Sequence, residues 1–190
     1  MRKQLIFLGG EAGVGKSLVS KELKIKIGNS LVIDKDEYTS VLVNKLLELY
    51  ERPASDRESE IYIKNVKPLE YEQIDNMVWY GIENTSLIVT APFFDSFLDI
   101  DWIEKMKSLG EFHNAKVSFI FLTRYPNKIR TGLIDRNANR DEWKIMNYPE
   151  YRKNTDTIIS DIIKKTWINH IKFNNRIDVK MIMERLNDDN

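Results

Sequence analysis

Cysteine is absent from the 190-residue sequence, and this absence excludes three kinds of site at once. Without cysteine there is no disulfide, no thiolate metal site and no cysteine nucleophile. Histidine is scarce, since His113 and His170 are the only two. Neither stands at a spacing from carboxylates that is typical of a zinc site or a catalytic triad. A chain without cysteine is typical of a reducing compartment, so we expect a cytoplasmic protein.

An excess of charge of one sign is also missing. Lys plus Arg and Asp plus Glu each number 29, so no overall field attracts nucleic acid or an anionic membrane. No apolar run approaches the roughly 18 to 20 residues that span a bilayer, and the basic start at residues 1–3 leads into only four apolar residues. The sequence therefore predicts a protein with neither partner, and its length suits one domain over residues 1–190.

The motif G-x-x-x-x-G-K-[ST] occurs early in the chain. It consists of Gly10, Glu11, Ala12, Gly13, Val14, Gly15, Lys16 and Ser17. An apolar run precedes it and an amphipathic segment follows it, which is the strand, loop and helix context of a phosphate-binding loop. Its glycines let backbone N–H groups approach a polyphosphate, and the next helix adds its dipole. The motif predicts a nucleoside triphosphate site, with Lys16 on the β- and γ-phosphates and the Ser17 hydroxyl on Mg²⁺.

Apolar runs alternate with helical periodicities along the rest of the chain. Strands are predicted at 3–8, 31–33, 87–90, 117–122 and 168–173, with helices between them and a last helix at 177–186. This alternation indicates a parallel sheet covered on both faces, a three-layer α/β fold. Ligands bind beyond the carboxyl ends of such strands. Asp34 and Asp36 follow the second strand and should lie near the loop, although an aspartate there can also simply cap the next helix.

Two polar connections are candidates to cover a site. Residues 51–66 are charged and almost free of apolar periodicity, which predicts a mobile segment, either a plain surface loop or a substrate-side flap. Residues 124–147 begin with four arginines within 17 residues. This run is either a solvated helix face or a lid whose guanidinium groups close over phosphates. The phosphate loop upstream favours the lid.

Together these motifs resemble the small P-loop kinases, the group of shikimate kinase, gluconate kinase, chloramphenicol phosphotransferase, polynucleotide kinase and the zeta-toxin kinases. The similarity is greatest to uncharacterised ATP-binding, kinase-like members. Besides the phosphate loop, it rests on residues 32–36, Ala91-Pro92-Phe93 and 136–144, followed by Tyr148 and Tyr151. It spans nearly the whole chain and implies a P-loop nucleoside triphosphate hydrolase fold with five parallel strands in the order 2-3-1-4-5.

The resemblance also implies roles for individual residues. Asp36 matches the residue that contacts the acceptor hydroxyl and helps to deprotonate it, and Asp34 matches the one near Mg²⁺. Arg136 and Arg140 match lid arginines that approach the phosphates or the adenine. The implied activity is transfer of the γ-phosphoryl group of ATP to a hydroxyl of a small molecule, with Lys16, Asp36 and the two arginines as catalytic residues and Mg²⁺ as cofactor.

Two positions depart from the pattern of the group. Many members have an aspartate at the end of the third strand, where it completes the Mg²⁺ shell, whereas this chain has Thr90. Gly132 stands where members often have a further lid arginine. Asp95, close to the end of the same strand, is a candidate to replace the missing aspartate or to contact the substrate.

Two other functions stay open. A nucleotide-binding regulator with little turnover is favoured by the departure at Thr90. A nucleic-acid 5′-kinase should show a basic groove with stacking aromatic residues, and the balanced charge lends no support to it. A GTPase should show an Asn-Lys-x-Asp type of motif after a later strand, which residues 125–129 do not supply.

Overall fold

The structure, a computed structural model, describes residues 2–175 and 177–188 as one series of strands and helices. In chain order these are β1 (Lys3–Gly10), α1 (Lys16–Ile27), β2 (Ser30–Asp34), α2 (Lys35–Leu49), a π-helical turn (Tyr62–Val66), α3 (Lys67–Gly81), β3 (Ser86–Thr90), α4 (Ile100–Phe112), β4 (Ala115–Arg124), α5 (Pro126–Arg136), a 3-10 turn (Asn139–Asp141), α6 (Glu142–Met146), α7 (Tyr148–Ile162), β5 (Asn169–Phe173) and α8 (Val179–Asp188). The described strands form a five-stranded parallel sheet in the order β2-β3-β1-β4-β5. The predicted fold class and strand order are confirmed.

The central strand β1 is buried on both faces of the sheet. Leu5 and Phe7 belong to one hydrophobic cluster, which α3 and α4 cover, and Ile6 and Leu8 belong to a second, which α1, α5 and α8 cover. A parallel strand with helices on both faces needs apolar residues at every position, which explains its unbroken apolar run. Within the described residues, no helix is long and apolar enough to cross a bilayer.

Parallel pairing brings the ends of three strands together at one edge of the sheet. Thr90 at the end of β3 is in register with Leu8 of β1 on one side and with Asp34 of β2 on the other. The loop that follows β1 therefore begins beside the last residues of β2 and β3. This edge is the place where the strand rule predicts a ligand.

Two predicted segments differ in the structure. Residues 51–66 were expected to lack regular structure, but they end in the π-helical turn, whose Tyr62 and Val66 pack against Val43 and Leu47 of α2. Tyr62 and Val66 are four residues apart, which is helical spacing, but a single pair at the end of a charged segment is too short to show as a periodicity. The spacing of Ile158, Ile159, Ile162, Ile163 and Trp167 also predicts a helix that includes Trp167, whereas α7 ends at Ile162.

Candidate active site

The phosphate loop has the backbone that its glycines predict. Gly13 and Gly15 have φ angles of +81° and +107°, in the left-handed region that side chains disfavour. Gly15 is the N-cap of α1 and provides no side-chain acceptor for the first N–H groups of the helix. These groups and the helix dipole are therefore available to an anion. The side chain of Val14 is buried in the core, so this residue can offer a ligand its backbone alone.

Lys16 folds back over the loop. Its Nζ donates hydrogen bonds to the carbonyl oxygens of Gly10 (2.7 Å) and Glu11 (3.1 Å). Burial lowers the pKa of Lys16 to about 8, although Asp36 and Asp34 favour the charged form. An ammonium group held by two neutral carbonyls gains more from a phosphate, which would supply the missing negative charge.

Ser17, Asp34 and Thr90 meet at the ends of β2 and β3. Oδ2 of Asp34 accepts hydrogen bonds from the hydroxyls of Ser17 (3.0 Å) and Thr90 (2.9 Å). Its Oδ1 accepts from the backbone N–H of Asp36 (3.1 Å), so Asp34 also caps α2. Asp34 therefore caps α2 and also contacts Ser17, while its role near Mg²⁺ stays a prediction.

These oxygens fit a magnesium ion. Mg²⁺ prefers oxygen ligands, keeps several waters, and is usually held by one or two carboxylates together with substrate phosphates. In the part of the chain that the structure describes, no group of three His, Cys, Asp or Glu side chains forms a metal site. The chain thus offers one carboxylate with Ser17 beside it, and Thr90 orients that carboxylate in place of the aspartate found in many small P-loop kinases.

Asp36 is held between two cations. Lys35 approaches its Oδ1 at 3.2 Å and Arg140 approaches its Oδ2 at 3.0 Å. Burial would raise the pKa of Asp36, but Lys35, Arg140 and Lys16 outweigh it and hold the pKa at about 2. Asp36 is thus an anion at neutral pH, and both of its oxygens already have a partner.

Lys35 links Asp36 to a buried polar network that the sequence did not predict. Its Nζ lies 2.8 Å from Oε1 of Glu70, which also accepts from the Thr39 hydroxyl at 2.8 Å. The Tyr62 hydroxyl donates to the other oxygen of Glu70 at 2.5 Å. Burial and the charge of Glu70 raise the pKa of Tyr62, which keeps it a donor. The network fixes Lys35, and through it one oxygen of Asp36.

The predicted lid brings three of its arginines to the site. Arg140 pairs with Asp36, and Arg136 donates from its Nε to Oδ2 of the buried Asp141 at 2.7 Å. Arg124 also lines the site but donates to backbone carbonyls beyond β5, whereas Arg130 does not line it and stacks over the ring of Tyr148. Residues 124–147 are mostly helical, in α5 and α6.

A cleft of about 560 Å³, which we call the phosphate-side cleft, joins the loop to the lid. The predicted residues that line it are Gly13, Gly15, Lys16, Ser17, Asp34, Asp36, Arg136 and Arg140. The structure therefore brings together the predicted catalytic and metal-binding side chains, while their roles stay predictions. Asp95 does not line this cleft; it pairs with Lys67 at 2.5 Å and is largely exposed.

There is no room for a side chain at Gly132. A Cβ at Gly132 would stand 2.5 Å from the carbonyl oxygen of Gly13, and a Cβ at Gly13 would stand 2.9 Å from the carbonyl oxygen of Ile129. The backbones of α5 and the phosphate loop thus touch directly. An arginine at this position would push the two elements apart, which is the physical reason for the departure.

Glu11 is the buried acid of the loop. Its side chain is 1% exposed and pairs with Arg152 of α7. Burial raises the pKa of Glu11 from its ordinary value, and the charge of Arg152 opposes that shift. The carboxylate therefore anchors the loop to α7 and does not face the cleft. Nothing in the sequence connects two residues so far apart.

The two histidines occupy structural positions in the fold, as their isolation in the sequence indicates. His170 Nε2 lies 2.7 Å from the Thr123 hydroxyl, between β5 and β4, and burial lowers its pKa. His113 is the C-cap of α4. Neither residue lines the cleft.

A second cavity, of about 390 Å³, opens on the other side of Asp36. It shares Asp36, Arg136 and Arg140 with the cleft. Its outer wall includes Arg57 and Ile63. Part of segment 51–66 thus lines this space, which we call the acceptor cavity, while the role of the segment as a flap stays a prediction.

Comparison with known proteins shows which solved structures share this fold. No protein-family model matches the chain, and no curated protein sequence matches it. Among solved structures, a tunicamycin resistance protein from Deinococcus radiodurans superposes with a TM-score of 0.57 at 16% identity, covering 99% of this chain and 95% of that one.

Two kinases give similar agreement. A shikimate kinase from Bacteroides thetaiotaomicron has a TM-score of 0.56 at 18% identity, with 97% of each chain covered. A gluconokinase from Sinorhizobium meliloti has a TM-score of 0.53 at 13% identity, with 96% of this chain and 89% of that one covered. The resemblance to small P-loop kinases is thereby confirmed for the fold, over nearly the whole length of the chain.

Proposed function

We propose that the chain, which has the fold of the small P-loop kinases, is a phosphotransferase that moves the γ-phosphoryl group of ATP to a hydroxyl of a small molecule. One observation carries the proposal. The phosphate-side cleft and the acceptor cavity meet at Asp36, Arg136 and Arg140. Phosphoryl transfer depends mainly on position and on stabilisation of charge, and this arrangement supplies both.

The proposed reaction is a direct, in-line displacement. The acceptor oxygen forms a bond to the γ-phosphorus, the bond from that phosphorus to the β–γ bridging oxygen breaks, and its electron pair leaves with ADP. The proton of the hydroxyl passes to Asp36 and then to solvent. Mg²⁺, when bound beside Ser17 and Asp34, would neutralise charge on the phosphates. Lys16 and the two lid arginines contribute positive charge as negative charge develops.

Binding of ATP would rearrange the contacts of Lys16 and Arg140. Lys16 would exchange the carbonyls of Gly10 and Glu11 for phosphate oxygens, which are stronger acceptors. Arg140 would exchange Asp36 for a phosphate, and this exchange frees Oδ2 of Asp36 for the acceptor hydroxyl. With one cation removed, the pKa of Asp36 would also rise towards a value better suited to a base.

The test combines ATP binding with phosphoryl transfer. The parent and Asp36→Asn are incubated with γ-labelled ATP, Mg²⁺ and pooled hydroxylated metabolites, and ATP binding is measured in parallel by equilibrium dialysis. The variant should bind ATP and lose transfer. Turnover equal to that of the parent would refute the role of Asp36.

A second pair of variants tests the phosphate loop. Lys16→Ala should weaken ATP binding about 10- to 100-fold, since a hydrogen bond to a charged group contributes about 1.5–3 kcal/mol. Lys24→Ala is the matched control, because Lys24 is exposed in the last turn of the same helix and should not change the affinity. Unchanged affinity in Lys16→Ala would contradict the proposed nucleotide site.

A regulator with little turnover is the second candidate. The pairing of Arg140 with Asp36 favours it, because this contact occupies the proposed base. The same assay separates the two functions: ATP binding without transfer to any pool by the parent supports the regulator.

A further inference from the structure

The acceptor cavity contains more positive than negative side chains. Its basic residues are Lys35, Arg57, Lys67, Arg136, Arg140 and Lys144, and its acidic residues are Asp36, Glu58 and Asp141. A neutral acceptor would not need this excess. The question is which of the cations remains available once the ion pairs of the protein are formed.

Five of the six cations have an acidic partner. Lys35, Lys67, Arg136 and Arg140 are paired as described above, and Lys144 pairs with Glu58 at 2.8 Å. Arg57 is different, because no acidic side chain of the described residues lies within ion-pair distance of it. Among the residues that the structure describes, its charge is the one at the cavity without a counter-ion.

Arg57 is nevertheless held in place. Its Nη1 donates to the backbone carbonyl oxygens of Ala54 (2.9 Å) and Asp56 (2.8 Å), and the guanidinium lies 5.3 Å from the ring centre of Tyr62. Tyr62 is itself fixed by its hydrogen bond to Glu70. Within the described structure, Nε and Nη2 of Arg57 make no hydrogen bond. A positioned guanidinium with free donors is suited to a carboxylate or a phosphate.

The remaining wall of the cavity is largely apolar and aromatic. It includes Ile63, Tyr71, Phe94, Trp143 and Ile158. The hydroxyl of Tyr71 accepts from the backbone N–H of Phe93 at 3.3 Å, which leaves its own O–H as a donor. The ring of Tyr71 contributes an apolar face to the cavity.

We propose that the acceptor is an anion: a molecule with a hydroxyl at Asp36, an apolar or aromatic body against Tyr71 and Phe94, and a carboxylate or phosphate group that pairs with Arg57. This inference rests on the proposed function, because it names the substrate class of the same site. Arg57 then sets specificity, and it does so from the segment 51–66, outside the phosphate loop and the lid.

The test uses three probes that share an aromatic body and a hydroxymethyl group. These are para-(hydroxymethyl)benzoate, para-(hydroxymethyl)phenyl phosphate and the neutral para-(hydroxymethyl)benzamide. Binding to the protein with MgADP present is measured by calorimetry. We expect at least one anion to bind about tenfold or more tightly than the amide, as expected for a hydrogen-bonded charge pair. The tighter of the two anions identifies the group.

Three variants connect this preference to one residue. Arg57→Ala should remove it and Arg57→Lys should retain part of it. Arg52→Ala should leave it unchanged, because Arg52 lies in the same segment and does not line the cavity. MgADP binding checks that each variant is folded. Equal affinity for anion and amide, failure of both anions to bind, or a preference that survives in Arg57→Ala would overturn the proposal.

The phosphoryl-transfer assay separates this inference from the proposed function. Transfer to neutral acceptors without anion preference would uphold the kinase and overturn the anionic acceptor. Anion binding that depends on Arg57, without transfer to any acceptor, would uphold the anion site and overturn the kinase.

Discussion

Replacement of Glu70 by leucine should destabilise the protein strongly. Glu70 is 2% exposed and accepts hydrogen bonds from Lys35, Thr39 and Tyr62. In Glu70→Leu, the buried ammonium of Lys35 would lose one of its two carboxylate partners and retain Asp36, at 3.2 Å. Removing one partner of a buried ion pair costs about 3–5 kcal/mol. For a chain of this size each kcal/mol lowers Tm by about 2–4 °C, so Tm should fall by roughly 6–20 °C.

Urea unfolding followed by tryptophan fluorescence measures this loss, and the chain offers a matched control. Glu48 pairs with Lys45 at 2.8 Å, the same distance, but both side chains are exposed. Exposed pairs contribute at most about 1 kcal/mol, so Glu48→Leu should leave the free energy of unfolding nearly unchanged. Equal losses in the two variants would refute the argument that burial gives the Glu70 pair its importance.

A triple variant tests the source of the loss. Lys35→Met, Tyr62→Phe and Glu70→Leu together remove the charges and the tyrosine hydroxyl that would otherwise be stranded. Apolar replacement of a buried ion pair is often neutral or stabilising, so the triple variant should recover most of the stability. If it is as unstable as Glu70→Leu, the loss arises from packing and not from an unpaired charge.

Three further predictions concern the phosphate loop. Gly132→Ala should weaken ATP binding in equilibrium dialysis, because the added carbon would stand 2.5 Å from the carbonyl oxygen of Gly13; unchanged affinity would show that the backbone contact is dispensable. Arg152→Met should lower the free energy of unfolding by about 3–5 kcal/mol, since it strands the buried carboxylate of Glu11; a loss below about 1 kcal/mol in urea titrations argues against this anchor. ATP binding at a pH near 9 should take up a proton, because burial holds the pKa of Lys16 at about 8 and phosphate would raise it. Calorimetry in two buffers of different ionisation enthalpy measures that proton, which Lys16→Met should abolish.

The pKa of Lys16 also determines a change in stability with pH. Its folded-state pKa of about 8 is lower than the ordinary lysine value of 10.5. Between these values the unfolded chain binds more protons at this residue than the folded protein does. Its contribution to the free energy of unfolding without ATP therefore rises with pH across that interval and is smallest below pH 8.

The fold and the phosphate-side cleft could be predicted because their determinants are local. The apolar run before Gly10 and the spacing of Lys16 and Ser17 define a strand, loop and helix. The rule for parallel sheets then brings Asp34 to the same edge. Thr90 shows the limit of reasoning from a motif: the sequence shows that a carboxylate is missing there, while the structure shows a hydroxyl that donates to Asp34.

The acceptor side could not be predicted in the same way. Glu70 lies on a helix far along the chain from Lys35, and their pairing depends on how α2 and α3 pack. In a sequence with 29 residues of each charge sign, no spacing rule selects that pair among the many possible ones. The proposed role of Arg57 is similar, because it depends on the lack of an acidic neighbour in space among the described residues, which sequence distance does not report.

The contact between Gly13 and Gly132 gives the two lid arginines different degrees of freedom. Since the backbones touch there, this part of α5 cannot slide without moving the phosphate loop itself. The next break in the chain is Asn137, whose φ of +47° ends the helix. A hinge at this residue would leave Arg136 stationary and let Arg140 swing. Arg136 would then keep its position beside the proposed phosphate site, whereas the position of Arg140 would depend on whether ATP is bound.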